Sequence, residues 1–571
     1  MVSKRWRIAE PISKTIIGFF PEIAPLLLQL LWNRGINNQV AIDEFLNPDW
    51  SADVHDPFLF KDMARAVDRI YACIAQGELI YVYGDYDADG VTGSVVLVST
   101  LRKLGARVEV YLPHREREGY GINEAAVRYI KDHGGKLIIS CDCGVANVAE
   151  IKLAGELGMD VIVTDHHQPG EALPAALAII HPTVAGENYL GKTLSGGAVA
   201  FKLVQGLLRT DKCTWSDKVK ESWEKWLLDL VAISLVADMV PLVGEARTLA
   251  KYGLIVLQKT KRLGLQKMYD LASIRPDKIT TYTIGWQIAP RINAAGRMDH
   301  ANAGYALLMS DSVREAEELA AALNSANTER QRLTDVMVDE ALAQIGSPKT
   351  SDFCITATKP EWPLGLIGLV AGKLVQVHSR PALVMGEDGN HIVGSGRGVE
   401  GFDLMQALTD SREYLIKFGG HKQAAGFRLE RKNYEPFIKN FKQVCKKQLK
   451  GKDLTPTLNV DMSIEFPELD WKLYDQVAVL EPTGQANPST IFVTEDVEVG
   501  EIQTVGSNSQ HQRLILQQGD TSKKFIMFNA DKKGTELKIG DKIDIAYDVG
   551  VNEWNGNREL QLKIIDFKKS T

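Results

Sequence analysis

Short apolar runs alternate with stretches of helical periodicity along the first third of the chain. The apolar runs are rich in Ile, Val, Leu and Tyr, as is typical of strands that are buried on both faces. The stretches between them carry apolar residues at a spacing of three or four, which is typical of helices. This alternation predicts an α/β fold built on a parallel sheet. The predicted strands are 79–83, 107–112, 137–141 and 161–164, and the helices after them open near residues 91, 124 and 148.

The second half of the chain changes its pattern. Between Asp311 and Ile345, apolar residues recur at helical spacing with charged residues between them. This predicts a long amphipathic helix, which we interpret as a connector between two lobes. Residues 346–450 contain strand-like and helix-like segments and glycine-rich loops, which predicts a second α/β region. Its predicted elements are the strands Phe353–Ala357, Pro381–Met385 and His391–Ser395 and a lysine-rich helix over Tyr434–Lys452.

Short alternating strands fill the chain from about residue 455 onward. The last two are separated by Trp554-Asn555-Gly556-Asn557, and Asn-Gly is a strong hairpin signal. A run of short strands of this kind predicts a small all-β barrel of the OB-fold type. The predicted strands are 497–505, 512–517, 524–528, 542–547 and 559–567.

These patterns divide the 571 residues into several segments, and length alone predicts roughly three to four domains. Residues 1–55 read as short helices with no chemistry that we can identify. The predicted boundaries are an N-terminal helical segment (1–55), a parallel-sheet domain (56–305), a long connecting helix (306–345), a second α/β domain (346–453) and a C-terminal OB-like barrel (454–571).

Composition excludes several classes of protein. Hydrophobic residues make up 45% of the chain and charged residues 24%, which is typical of a soluble globular protein. No apolar run approaches the ~20 residues of a membrane span, and we recognise no signal peptide. The six cysteines form no CxxC pair, which argues against structural zinc and disulfides and favours a reducing cytoplasm. The net charge of -7 means that any nucleic-acid contact must depend on local patches.

Three aspartates follow the first predicted strand at every second position. If the extended conformation continues past Gly84, then Asp85, Asp87 and Asp89 point to the same side. Clustered carboxylates repel one another, and Mg²⁺ or Mn²⁺ is the simplest partner that stabilises them. The alternatives are a solvated acidic loop and a calcium loop of the EF-hand type. Val96 stands where an EF-hand requires glutamate, so we favour a metal site in an α/β fold.

Two further predicted strands also end in residues that can bind metal. Asp142 follows the second buried strand, and Asp165-His166-His167 follows the third. Functional groups of parallel sheets collect at the carboxyl ends of the strands. An isolated His-His pair is more typical of one core and one surface histidine, but its position here favours a functional role. Asp238 ends an apolar segment, and alone it is typical of a helix C-terminus. With it the set holds enough ligands for two cations, which suits phosphoester hydrolysis.

At this point the residues resemble a known family, the DHH phosphoesterases. The motifs Asp85-Tyr86-Asp87-Ala88-Asp89-Gly90, Asp142, Asp165-His166-His167 and Asp238 are similar to the four motifs of that family. Residues 346–453 resemble its DHHA1 domain through Gly419-Gly420-His421. The stretches 113–121, 289–297 and 552–557 resemble the bacterial single-strand-specific exonucleases of the family. The resemblance covers nearly the whole chain.

The resemblance implies roles for the acidic and histidine residues. It implies Asp87 and Asp89 as ligands of different metals, with Asp142 bridging the two. His166 and Asp238 are implied as further ligands. The implied catalytic group consists of His167, near the scissile phosphate, together with Asp165 and Asp85.

The resemblance also implies a set of contacts with nucleic acid. Without it, Arg291-Ile292-Asn293 would be interpreted as a turn and the arginines as solvated. Two stretches depart from the family pattern. Gly484-Gln485-Ala486-Asn487-Pro488 carries Ala486 where the pattern has glycine, and Gly394-Ser395-Gly396-Arg397-Gly398 carries extra glycines. The implied nucleic-acid-binding residues are Arg115, Tyr120, Arg291, Asn293, Arg297, Arg397, His421 and Gln423.

The function implied by the resemblance is a metal-dependent hydrolase. We expect a 5′-to-3′ exonuclease that uses two Mn²⁺ or Mg²⁺ ions to degrade single-stranded DNA to mononucleotides in DNA repair and recombination. The implied partners are single-stranded DNA, a single-strand-binding protein and a helicase, in the cytoplasm and without a membrane.

Two alternatives belong to the same fold. One is a phosphodiesterase of short oligoribonucleotides or cyclic dinucleotides, which would manage without the C-terminal barrel. The other is a catalytically silent replication scaffold. A silent relative would be expected to lose acidic ligands, and every one is present in this sequence.

Overall fold

The chain folds into two compact units. The computed structural model describes residues 4–349, 352–506, 509–530, 537–554 and 556–570. What we call the parallel-sheet unit consists of Asp43–Leu333 and the short segment Pro482–Asn487. What we call the barrel unit consists of Met1–Ile42, Thr334–Glu481 and Pro488–Thr571.

The parallel-sheet unit is built on a five-stranded sheet in which every neighbouring pair is parallel. All four predicted strands are present, and the short edge strand Ala178–Ile180 is an addition. Alternate residues of the central strand serve opposite faces, as the period of two requires. Ile80 and Val82 belong to one apolar core, and Tyr81 and Tyr83 belong to the other. The strand order is Arg107–Tyr111, Leu79–Gly84, Gly135–Cys141, Asp160–Thr164 and Ala178–Ile180.

Helices cover both faces of this sheet, as the alternating sequence pattern predicts. Those between the strands are Ala88–Lys103, Glu124–Asp132 and Val148–Glu156. The remaining helices of eight residues or more in this unit are Met63–Gln76, Gly196–Arg209, Asp217–Trp226, Leu228–Ala237, Gly244–Leu257, Leu263–Ala272, Ala289–Met298 and Asn302–Met309.

Two helices approach each other through glycines. A Cβ atom added to Gly93 would lie 2.4 Å from the Sγ of Cys141 and 2.8 Å from the Cα of Gly197. Both distances are far below van der Waals contact. The helices Ala88–Lys103 and Gly196–Arg209 therefore pack this closely because neither carries a side chain at the crossing.

The predicted connecting helix is confirmed as Val313–Ile345, a single helix of 33 residues. At a rise of 1.5 Å per residue, it is about 50 Å long. The division between the two units falls within it, after Leu333.

The second α/β region folds as a mixed five-stranded sheet within the barrel unit. The predicted strands near residues 353, 381 and 391 are confirmed with shifted ends. The stretch 418–427, expected to be a glycine-rich loop, is instead two antiparallel strands, because Ala425 and Phe427 alternate into the core. The strand order is Lys417–Gly420, Ala424–Glu430, His391–Arg397, Ala382–Asp388 and Ile355–Thr358, with the helices Ile367–His378, Leu404–Thr409 and Tyr434–Leu449.

The predicted C-terminal barrel is confirmed. The strand Phe492–Val505 pairs with Lys542–Trp554 as well as with His511–Gln518, which closes five strands into a barrel. The two final strands form the expected antiparallel pair, although Asn555 of the hairpin signal lies outside the described residues. The barrel strands are Phe492–Val505, His511–Gln518, Thr521–Met527, Asn557–Lys569 and Lys542–Trp554, with Met462–Ser463 at one edge and the helix Trp471–Ala478 nearby in sequence.

The N-terminal segment contains a strand that the sequence did not predict. Arg5–Ile8 pairs in parallel with Thr457–Val460, and the indole of Trp6 donates a hydrogen bond of 2.8 Å to Asp566. A strand of four residues is too short to show a period, and its partner lies 452 positions away in sequence. The predicted helices follow it as Lys14–Phe19, Pro25–Asn33, Gln39–Leu46 and Trp50–Asp53.

The segment Pro482–Asn487 is held in the parallel-sheet unit by its backbone carbonyls. The carbonyl of Gln485 accepts from the Leu242 N–H at 2.9 Å, and that of Pro482 accepts from the buried Arg247 at 3.0 Å. Ala486 has a φ of 61°, in the left-handed region that glycine adopts without strain. The departure from the family pattern at this position therefore places a strained residue in a turn.

Among the helices of the described part of the chain, none has the length and apolar character needed to cross a bilayer.

The glycine crossing generates a prediction about stability. Gly93→Ala should lower the free energy of unfolding of the parallel-sheet unit by about 1–3 kcal/mol, because the added methyl group overpacks the crossing. Gly155→Ala is the matched control, since its Cβ would meet no atom within 4 Å. The free energy of unfolding of Gly155→Ala should rise by about 0.5–1 kcal/mol, because alanine has a higher helix propensity than glycine. Urea unfolding of both variants checks this, and equal stability of the two would contradict the crossing.

Candidate metal centre

The three aspartates of the first motif do not lie on an extended strand, so that part of the prediction was wrong. The strand ends at Gly84, and the next helix begins at Ala88 rather than near Val91. Asp87 is its N-cap, and its Oδ1 accepts from the N–H groups of Asp89 and Gly90 at 2.9 and 3.2 Å. The spacing of two residues thus spans a strand end, a cap and a first helical turn, and the cap forms because an aspartate oxygen satisfies exposed helical N–H groups.

Asp85, Asp142 and Asp165 occupy equivalent positions on neighbouring strands. Each is the first residue after its strand, and its N–H donates to the last carbonyl of the next strand. The acceptors are the carbonyls of Cys141, Thr164 and Ile180, at 3.2, 3.0 and 3.3 Å. The ladder of the sheet therefore continues by one residue and aligns the three aspartates along one edge.

Asp89 is buried and fixed by hydrogen bonds. Its two carboxylate oxygens accept from the N–H groups of Gly196 and Gly197, both at 2.8 Å, and Oδ1 also accepts from the hydroxyl of Ser234. The two glycines open a helix, whose N-terminus favours negative charge. Burial and the neighbouring Asp87 nevertheless raise the pKa of Asp89 to about 6.

Asp142 is buried and packs closely against the backbone at Gly196. Its φ is 63°, in the left-handed region, and a Cβ at Gly196 would lie 2.4 Å from the Cβ of Asp142. Burial, together with Asp89, Asp87 and Asp85, raises the pKa of Asp142 well above its usual value. A buried carboxyl among other carboxyls is costly without a cation.

Asp165 differs from the other aspartates, because its oxygens are occupied by the protein itself. Its Oδ1 accepts from the N–H groups of His166 and His167 at 2.7 and 3.1 Å and is 2.9 Å from the Nδ1 of His167. Its Oδ2 accepts from the N–H of Val145 at 2.9 Å. Burial acts to raise its pKa, but these bonds and the charge of His167 hold the pKa of Asp165 at about 2. Asp165 therefore orients the two histidines.

Asp165 contacts the ring of His167, and a second histidine, His181, contacts its backbone carbonyl. Burial acts to lower its pKa, but the hydrogen bond and charge of Asp165 raise the pKa of His167 to about 9. The ring of His181 lies behind it, with Nε2 at 2.8 Å from the carbonyl of His167. The Nδ1 of His181 accepts from the N–H of Thr183 at 3.1 Å, so Nε2 carries the proton and donates.

His166 lies at the centre of the acidic group. Its Nε2 is 3.1 Å from Asp142 Oδ1, 3.5 Å from Asp238 Oδ2 and 3.8 Å from Asp89 Oδ2. Asp238 is the C-cap of the helix Leu228–Ala237, as expected for an aspartate that ends an apolar segment. Burial and the nearby Asp89 and Asp87 raise the pKa of Asp238 to about 8.

Asp85 brings a buried carboxylate to the site. The residue is 4% exposed, and its Oδ1 has no hydrogen-bond partner among the described residues. Burial and Asp87 raise the pKa of Asp85 well above its usual value. A divalent cation would supply the charge that this orphaned oxygen lacks, so the residues present fit a metal ion.

Three groups of residues have ligand atoms within 4.8 Å of one another and could hold an ion. Two of these groups share no residue, which leaves room for two ions side by side. The Oδ1 of Asp142 in one group lies 3.1 Å from the Nε2 of His166 in the other, so the two groups are adjacent. Carboxylate and imidazole ligands suit Mn²⁺, and carboxylates also suit Mg²⁺. The groups are Asp85, Asp87 and Asp142; Asp89, His166 and Asp238; and Asp142, His166 and His167.

Several of the predicted nucleic-acid-binding residues border this site. Tyr120 donates from its hydroxyl to the carbonyl of Asp142 at 3.2 Å, and its ring centroid is 5.0 Å from that of His167. The guanidinium of Arg115 lies 4.6 Å from the ring centroid of Tyr86. Burial lowers the pKa of Arg297 to about 9, and the neighbouring Arg115 and Arg330 act in the same direction. Mutually repelling arginines are an arrangement that an anion would stabilise.

Asn293 and Arg291 have structural contacts that the sequence did not predict. The Oδ1 of Asn293 accepts from the Ala88 N–H at 2.7 Å, so it caps the same helix as Asp87. Arg291 donates to the carbonyl of Gln287 at 2.7 Å and to Asn324 at 3.1 Å.

Arg397, His421 and Gln423 lie in the barrel unit and are brought together there by strand pairing. Arg397 pairs with Ala424 in register, and the carbonyl of Gln423 accepts from the Gly398 N–H at 2.8 Å. The N–H of His421 donates to the carbonyl of Ala424 at 2.7 Å.

The residues that hold Asp89 were not found from the sequence. Gly196, Gly197 and Ser234 bind it, yet none carries a metal ligand. The signal available was Ser195-Gly196-Gly197 before a helical pattern, since exposed N–H groups at a helix start bind anions. His181 was also missed, because a lone histidine after a short edge strand carries no pattern.

The chain is similar to known proteins in sequence and in structure. Family profiles match the DHH family N-terminal domain over residues 79–235, the DHHA1 domain over 351–447 and the RecJ OB domain over 460–566. The single-stranded-DNA-specific exonuclease RecJ of Bacillus subtilis is 38% identical over 98% of this chain and 70% of its own length. That of Escherichia coli is 31% identical over 95% of this chain and 96% of its own length.

A solved structure agrees with the sequence matches. The crystal structure of RecJ in complex with Mn²⁺ from Thermus thermophilus superimposes with a TM-score of 0.84 at 27% identity. The match covers 99% of this chain and 80% of the Thermus chain. The predicted fold class is thereby confirmed. The chain belongs to the RecJ family of DHH proteins.

Proposed function

We propose that this protein is a metal-dependent exonuclease that hydrolyses single-stranded DNA from the 5′ end to mononucleotides. The observation that carries the proposal is the pair of ligand groups that share no residue, at one edge of the parallel sheet. The names of the sequence relatives, single-stranded-DNA-specific exonucleases, support the substrate. The 5′ polarity, the mononucleotide product and a role in DNA repair and recombination follow from the family resemblance.

The proposed ligands fall into two sets. Asp87 and Asp85 belong to one ion and Asp89, His166 and Asp238 to the other. Asp142, which lies 3.1 Å from His166, connects the sets and is the proposed bridging ligand. When bound, two divalent ions polarise the phosphate and activate a water molecule for attack on it.

The residues around the ions position the substrate. The hydrogen bond to Asp165 fixes the ring of His167, and the charge of Asp165 favours its protonated form. A protonated imidazole beside the scissile phosphate can donate a hydrogen bond and stabilise its negative charge. Arg115 and Arg297 are proposed to bind phosphate oxygens.

The barrel unit is proposed to bind the rest of the strand. His421 and Gln423 lie on one hairpin, and Arg397 lies on the strand that pairs with it, so the three can contact phosphates together. OB barrels bind single strands through charged grooves and aromatic stacking. A small-substrate phosphodiesterase has no need of such a barrel, so its presence favours DNA. A single-strand-binding protein and a helicase are proposed as partners, and the cytoplasm as location, from the resemblance and the cysteine usage.

One assay tests the function directly. Single- and double-stranded oligonucleotides labelled at either end are incubated with Mn²⁺ or Mg²⁺. We expect mononucleotide to be released first from the 5′ end of the single strand. Hydrolysis of cyclic dinucleotides or short oligoribonucleotides in preference to long DNA would support the phosphodiesterase alternative.

Asp142→Asn should lower kcat on single-stranded DNA by about a thousandfold, the several kcal/mol that metal ions contribute to such reactions. Asparagine is the substitution to use, because it tolerates the left-handed φ of this position. DNA binding in EDTA should remain. The exposed Asp132→Asn serves as the charge-matched control. Turnover close to that of the control would refute the bridging role.

Removing Asp238 should remove one ion. Isothermal titration with Mn²⁺ should give two ions for the wild-type chain and one for Asp238→Asn, because Asp238 belongs to a single ligand group. Prior dialysis against EDTA should abolish hydrolysis, and added Mn²⁺ should restore it. Retention of two tight sites in Asp238→Asn would contradict the assignment.

A further inference from the structure

Two large aromatic side chains lie exposed side by side on the parallel-sheet unit. Tyr282 is 65% exposed and Trp286 is 68% exposed. Their ring centroids are 5.9 Å apart with planes inclined by 28°, so the rings stack. A Cβ at Gly285 would meet no atom within 4 Å, so the surface beside Trp286 is open. Isolated exposed apolar residues are ordinary, but a stacked and open aromatic pair is not.

Trp286 lies in a π-helical turn, and Tyr282 lies in the helical turn Thr281–Thr283 directly before it. Pro290 has no N–H to donate to the carbonyl of Trp286, so a regular α-helix cannot form there. The chain instead widens into a π-turn over Ile284–Ile288, in which the N–H of Ala289 donates to the carbonyl of Ile284. Ile284 and Ile288 are fully buried, and Trp286 projects between them to the outside. Turns of this type inside helices are frequently found at functional sites.

The turn is connected to the metal centre on both sides. It packs against the helix Leu228–Ala237, whose C-cap is Asp238. It continues into the helix Ala289–Met298, where Asn293 caps the helix that carries Asp89. Trp286 and Asn293 are seven positions apart, or about 10 Å along a helix axis.

We propose that Tyr282 and Trp286 form a stacking platform for the bases of single-stranded DNA on its way to the metal centre. The proposal rests on the proposed function. An unpaired base presents a free face to an aromatic ring, whereas a base in a duplex does not. The platform would therefore contribute to the preference for single strands. The turn that carries Trp286 contacts elements of the metal centre, which favours DNA over a protein as the partner that binds this pair.

Binding of fluorescent oligothymidylate to the full-length chain in EDTA tests the platform. Trp286→Ala and Tyr282→Ala should each weaken binding about tenfold, the effect of losing one stacked base. In Mn²⁺ the effect should fall on KM rather than kcat. Trp286→Phe should keep most of the affinity. Phe58→Ala, which removes an exposed aromatic ring elsewhere in the unit, should bind as the wild type does.

An abasic oligonucleotide of equal length separates stacking from other causes. Wild type and Trp286→Ala should bind it with equal affinity, because it has phosphates but no bases. Equal losses on normal and abasic DNA, or no loss on either, would overturn the platform. If the wild type neither binds nor hydrolyses single-stranded DNA, the proposed function itself has failed, which is a result distinct from failure of the platform alone.

Discussion

Three backbone hydrogen bonds at one edge of the parallel sheet set the geometry of the metal centre. Asp85, Asp142 and Asp165 each donate an N–H to the last carbonyl of the adjacent strand. Side chains from distant parts of the chain are thereby aligned along one edge of the sheet. Like charges at such short range repel, and the raised pKa of Asp85 and Asp142 records that repulsion together with burial. The register of the sheet keeps together groups that electrostatics would separate.

The acidic residues at this edge of the sheet differ in their hydrogen bonding. Asp165 has every oxygen occupied by N–H donors and a histidine, whereas Asp85 has an oxygen with no partner among the described residues. The first is built to stay charged and to orient other groups. The second offers an oxygen that no hydrogen bond of the described residues uses. Asp165 and Asp85 therefore differ in their hydrogen bonding in a way that the sequence motif alone does not show.

Much of the fold and the membership of the site could be predicted from the sequence. Buried strands, long helices and barrel strands have periods that show in the chain, and strand ends locate Asp142 and Asp165 because parallel strands end at one edge. The extended reading of Asp85, Asp87 and Asp89 failed, since a side-chain cap at Asp87 starts a helix early. The pairing of Arg5–Ile8 and the contacts of Gly196 and Gly197 with Asp89 depend on residues far apart in sequence, which no local period reveals.

The interleaved course of the chain has a consequence for its synthesis. The strand Arg5–Ile8 finds its partner only at Thr457–Val460, and the parallel-sheet unit takes its last piece from Pro482–Asn487. Neither the barrel unit nor the parallel-sheet unit can be completed until the ribosome has translated well past residue 450. During synthesis, the strand Arg5–Ile8 therefore stays unpaired and the parallel-sheet unit stays without the segment Pro482–Asn487. We expect the active enzyme to form late in synthesis rather than one domain at a time.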